Sequence, residues 1–67
     1  QTGNIEEAKI IYDELLEDAP DNGLYRIERA KILLALGQKQ AAREDLKIAR
    51  CSGIPSAAWK ELEQKLK

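Results

Sequence analysis

Displaced by 34 positions along itself, the 67-residue sequence lays Gly3 on Gly37, Ala8 on Ala42, Tyr12 on Leu46 and Leu15 on Ala49. Small residues fall on small ones, and large on large or medium. A period of this length points to stacked supersecondary units that share a continuous core. The repeated residues say what the unit is. Glycine tolerates the tight corner between two helices, and alanine lets helix backbones close where their axes approach. The unit is therefore a helical hairpin, and in this register residue 1 falls late in the first helix of a hairpin. The chain carries no Met, which agrees with a segment taken from something longer.

The local signals divide the chain into four helices and no strands. Asn4 followed by Glu7 is a capping-box pattern, so a helix is predicted to begin at Ile5. Apolar residues then recur at Ile5, Ala8, Ile11, Tyr12, Leu15, Leu16 and Ala19, the three-and-four spacing of one buried face, until Pro20 stops the helix. The segment Leu24 to Leu36 is apolar on more than one side, as expected of a helix sandwiched between neighbours. Gly37 ends it, and a third helix turns Ala41, Ala42, Leu46, Ile48 and Ala49 inward before Gly53. Pro55 suits a first helical turn, after which Trp59, Leu62 and Leu66 form a narrower stripe.

Composition excludes several classes of function. At 43% apolar and 34% charged, the chain is neither disordered nor membrane-spanning, and its longest apolar run is Ile32 to Leu36. With no His and only Cys51, neither a Cys/His zinc site nor an intramolecular disulfide can form, which favours a reducing, cytoplasmic setting. No catalytic residue, metal or cofactor is expected, because a nucleophile here has no activating base and the glycines are scattered rather than clustered into a phosphate loop. Residues 1 to 22 hold seven acids against Lys9 alone, a net −6, whereas residues 23 to 67 hold ten basic residues against five acids, a net +5. These charges read as solvated helix faces, with an attraction between opposite ends that would help stacked units meet in order. Arg26, Arg29, Lys31, Arg43, Lys47 and Arg50 are interleaved with Glu28, Glu44 and Asp45, so nucleic-acid binding is not expected. Cys51 reads as a small residue at a helix end, and Trp59 as a pin holding the last helix to the third, the alternative being a binding anchor, since Trp is enriched among interface hot spots.

Gly3-Asn4-Ile5-Glu6-Glu7-Ala8, then Tyr12, Leu15-Leu16 and Pro20-Asp21-Asn22, resemble the second half of the tetratricopeptide repeat (TPR). Ala30, Leu33, Gly37, Ala42, Leu46 and Ala49 resemble the positions of one complete repeat. The chain departs from the family pattern at Arg26, where a Trp is frequent, at Lys39, where an aromatic is frequent, and at Cys51-Ser52-Gly53-Ile54-Pro55, which replaces a single Pro at period. The resemblance implies an all-α, right-handed solenoid of antiparallel hairpins forming one unit. Residues 1–22 would supply the second helix of an incomplete repeat, 23–54 a complete repeat and 55–67 a closing helix or the start of a further repeat shifted by one residue.

A TPR-like unit acts through its surface, so the expected function is protein–protein interaction with a peptide or partner helix, without enzymatic activity. The resemblance places the concave face at Leu24, Ile27, Glu28, Lys31, Leu34 and Ala35. Glu28 stands where some family members carry the Asn of a carboxylate clamp, so that mode of binding is not expected. The alternative is self-association, as a homodimer, through the apolar face Ile5, Ala8, Tyr12 and Leu15, left open by the incomplete hairpin. A further alternative is a regulatory appendage of a multidomain enzyme.

Overall fold

The computed structural model describes residues 2–66, with side chains from Asn4 to Leu66. Lys67, the last residue of the expected closing helix, and Gln1 lie outside the described residues. Among those described there are four α-helices and no strand: α1 (Thr2–Asp18), α2 (Gly23–Ala35), α3 (Lys39–Cys51) and α4 (Ser56–Lys65).

The helix ends follow from backbone chemistry. Asn22 caps α2, its side-chain oxygen accepting the Tyr25 N–H at 3.1 Å, which satisfies one of the donors a helix start leaves free. Gly37 turns at φ +83° and Gly53 at φ +90°, in the left-handed region that side chains rarely adopt. The turn at Gly37 is closed by the Gln38 N–H donating to the Leu33 carbonyl at 2.8 Å. Pro55 sits in extended conformation (φ −61°, ψ 145°) as the residue before α4, where its missing N–H costs nothing.

One boundary differs from the sequence reading. Helix α1 does not begin at Ile5: it runs from Thr2 straight through Gly3 and Asn4. Glycine permits a corner without imposing one. At Gly37 the chain turns back so that α3 can pack on α2, whereas the helical hydrogen-bond ladder continues through Gly3, and Asn4 lies inside the helix instead of capping it.

The core is built around α2, which touches all three other helices. Ile27, Ala30 and Leu33 of α2 meet Ala42, Leu46 and Ala49 of α3 and Leu62 and Leu66 of α4 in a single buried cluster, with Leu34, Ala41, Ile54 and Trp59 packed at its margin. Ala30, Ala42 and Ala49 are completely inaccessible, as the small residues of the 34-residue period require where helices lie close. Gly23 has a packing role of its own. A Cβ built there meets the Ser52 side chain and lies 3.0 Å from Ile54 Cγ2, so the absence of a side chain lets the α3–α4 connection lie against the start of α2.

Two residues assigned inward by periodicity are exposed: Ile11 at 56% and Ile48 at 41%. Periodicity identifies an apolar stripe, but coverage depends on a neighbouring helix being present. Ile11 lies on a side of α1 that α2 does not reach.

Candidate functional site

The α2–α4 contact leaves a groove between the two helices. Leu24, Ile27, Glu28 and Lys31 form its α2 wall; Ala57, Ala58, Glu61, Leu62 and Lys65 form the other. The groove thus unites four of the six residues assigned from sequence to a concave face. Leu34 is half-buried against the core and Ala35 is exposed, and neither lines the groove. Within it the residues divide by role. Ile27 and Leu62 are buried and form the floor, whereas Leu24 is 59% exposed and projects as an apolar knob. Glu28 and Lys31 are one turn apart on the rim and pair at 3.5 Å. At about 340 Å³ and open to solvent, the groove is a surface cleft and not an enclosed cavity. The α4 wall, with Ala57 and Ala58 in its first turn followed by Glu61 and Lys65, was not singled out by the sequence reading.

On another side of α2 lies an ionic network that contradicts the reading of all these charges as solvated faces. Asp45 is 3% exposed and receives three hydrogen bonds from α2: Arg29 Nε and Nη2, each at 2.7 Å, and Arg26 Nη1 at 2.9 Å. The Arg29 pairing is bidentate, the geometry in which a guanidinium fork best matches a carboxylate. Arg29 Nη1 also donates to Asp13 Oδ1 of α1 at 2.8 Å, and Lys9 donates to Asp13 Oδ2 at 3.0 Å. Arg26 Nε donates to the Pro20 carbonyl at 3.1 Å. One chain of charge-assisted bonds therefore ties α1, α2 and α3 together.

Its electrostatics are those of mutual stabilisation. Burial of Asp13 opposes its ionisation, but the hydrogen bonds from Lys9 and Arg29, reinforced by their charges, together outweigh it and lower the carboxyl below its usual value. The hydrogen bond to Asp45, opposed by desolvation and supported by Asp13, raises the Arg29 guanidinium still further above its already high value. The motif signal for this arrangement was weak, because Asp45 and its arginine partners are 16 and 19 positions apart.

Helix α4 is tied on by polar contacts as well as its leucines. Arg43 donates two hydrogen bonds to the Leu66 carbonyl, at 3.0 and 2.8 Å, occupying an acceptor that a helix end leaves free. Arg50 pairs with Glu63 at 3.0 Å and lies over the Trp59 ring, 5.0 Å from its centroid. Cys51 is exposed at the end of α3. No group of three or more His, Cys, Asp or Glu residues capable of holding a metal occurs among the described residues. No helix among them is long and apolar enough to cross a membrane.

The four residues assigned to a self-association face, Ile5, Ala8, Tyr12 and Leu15, are all half-buried on α1. Tyr12 stacks obliquely on Tyr25 of α2, their ring centroids 6.0 Å apart at 60°. The exposed large apolar residues of α1 are Ile10 and Ile11. In comparisons with known proteins, no family model, no curated protein and no solved structure matches the chain.

Proposed function

We propose that this chain is a TPR-like protein-interaction module that binds a peptide or partner helix in the α2–α4 groove and carries no catalytic activity of its own. The observation that carries the reading is the projecting Leu24 set beside a floor of Ile27 and Leu62, with an acid and a lysine on each wall. An apolar anchor point ringed by both signs of charge is suited to a segment that inserts one or two apolar side chains and aligns its own charges along the rim. In this reading α2 and α3 form the complete hairpin, α1 is the second helix of a preceding one, and α4 closes the stack as a right-handed solenoid would continue it. The 34-residue period, the left-handed turn at Gly37 and the contacts of α2 with all three other helices support that arrangement.

Selection of a displayed peptide library against the purified chain, with enriched peptides mapped by amide chemical-shift changes, tests the proposal. The expected result is a peptide family with apolar anchors whose shifts fall on Leu24, Lys31, Ala58 and Glu61. Leu24→Asn and Lys31→Glu weaken binding while leaving helicity intact, since both side chains are exposed. Enrichment of no peptide, or of peptides indifferent to both substitutions, would falsify it.

A further inference from the structure

The 34-residue period allows α1 to be compared with α3 residue by residue, and the two differ in burial at the four positions where α3 is buried. Ala42, Asp45, Leu46 and Ala49 of α3 are buried, being covered by α2 on one side and α4 on the other. Their counterparts Ala8, Tyr12 and Leu15 are half-buried, and Ile11, the counterpart of Asp45, is 56% exposed. The side of α3 that carries Asp45 is the side facing Arg26 and Arg29 of α2. The matching side of α1, the stripe Ala8–Ile11–Leu15 at helical spacing, has no helix among the described residues against it. Among the described residues α1 touches only α2, whose Tyr25 stacks on Tyr12 and whose Arg29 pairs with Asp13.

From this comparison we infer that the Ala8–Ile11–Leu15 stripe is a second docking surface, and that its occupant is a basic amphipathic helix from outside these 67 residues. The period indicates a helix, because a helix covers the matched face of α3. Charge decides its chemistry. Glu7, Glu14 and Asp18 are exposed beside the stripe, with Glu6 and Glu17 further round the same helix, whereas the one lysine of α1 is already engaged by Asp13. A helix with Lys or Arg flanking its apolar residues meets this rim favourably. A second copy docked symmetrically, α1 on α1, would set Glu7, Glu14 and Asp18 of each copy beside those of the other, so charge disfavours that occupant. Helix α2 itself has the required character, carrying Arg26, Arg29 and Lys31 against Glu28 around its apolar residues. Its sequence therefore supplies a probe.

The experiment titrates a capped synthetic peptide of residues 23–36 into the isotope-labelled chain and reads amide shifts, with sedimentation equilibrium of the chain alone in parallel. Shifts are expected on Ala8, Ile11 and Leu15, with affinity that falls as salt rises. Ile11→Gln is expected to weaken binding about tenfold by removing apolar contact without changing charge. Ile10→Gln, equally exposed but about 100° round the helix from Ile11, leaves binding unchanged. The same peptide carrying Arg26→Glu, Arg29→Glu and Lys31→Glu is expected not to bind. Circular dichroism of both variants checks that helicity is retained. Shifts confined to the α2–α4 groove, no binding up to the peptide's solubility limit, or indifference to Ile11→Gln would overturn the inference. So would a dimer that Ile11→Gln dissociates, because the occupant would then be a second copy. Failure here leaves the groove reading standing, since that reading is scored on Leu24 and Lys31.

Discussion

Asp45→Ala removes the carboxylate at the centre of the ionic network and leaves two guanidinium groups facing the space it occupied. Loss of one partner from a buried ion pair costs about 3–5 kcal/mol, because the remaining charge is left without compensation. The arginine side chains are only 16% and 20% exposed, yet Arg29 retains Asp13 and Arg26 retains the Pro20 carbonyl. The expected cost is accordingly smaller, about 2–3 kcal/mol. For a chain of this size, total stability is on the order of 3–10 kcal/mol, so the variant approaches the folding threshold and its melting temperature falls by about 10–20 °C. Urea unfolding followed by far-ultraviolet circular dichroism and Trp59 fluorescence measures the loss. Asp13→Asn serves as the internal comparison: its carboxylate is 36% exposed, and about 0.5–1 kcal/mol is expected. Replacing Asp45, Arg26 and Arg29 together by apolar side chains of similar volume restores most of the stability, since no charge is then left unpaired. An Asp45→Ala loss below about 1 kcal/mol, or one no larger than that of Asp13→Asn, would refute the argument and show these charges to be solvated in effect.

Two glycines are sensitive for different reasons. Gly23→Ala forces the new Cβ against Ser52 and Ile54, and thermal melts are expected to show a loss of about 1–3 kcal/mol. Gly37→Ala meets no atom within 4 Å but is held at φ +83°, so backbone strain alone costs about 1–2 kcal/mol. Leu62→Ala opens a cavity beneath α4 and is expected to cost about 2–5 kcal/mol, with a change in Trp59 emission as α4 loosens. The lowered Asp13 pKa gives a signed pH dependence: its contribution is present above its unfolded-state value of 3.8 and is lost as pH falls through the folded value. Acid titration of the wild type against Asp13→Asn isolates it, the difference in stability between the two closing below about pH 4. Arg29 adds nothing to this window, because its raised value places its own loss far into alkali.

What the sequence determined by itself was local and periodic. Four helices, the glycine turns at 37 and 53, the Pro55 boundary and the buried alanines at 30, 42 and 49 all follow from backbone preferences and helical spacing, which need no knowledge of neighbours. Four of the six residues that the TPR resemblance assigned to a concave face line the α2–α4 groove. Only the tertiary structure decided which apolar stripe was covered, so Ile11 and Ile48 share the periodicity of buried residues and are exposed. It also decided the fate of Asp45. A lone acid on a helix reads as solvated until packing brings two arginines from another helix within hydrogen-bonding distance, and that approach depends on how α2 and α3 cross. The same holds for two chemically identical residues, for Gly3 lies within α1 whereas Gly37 takes a left-handed turn between two packed helices.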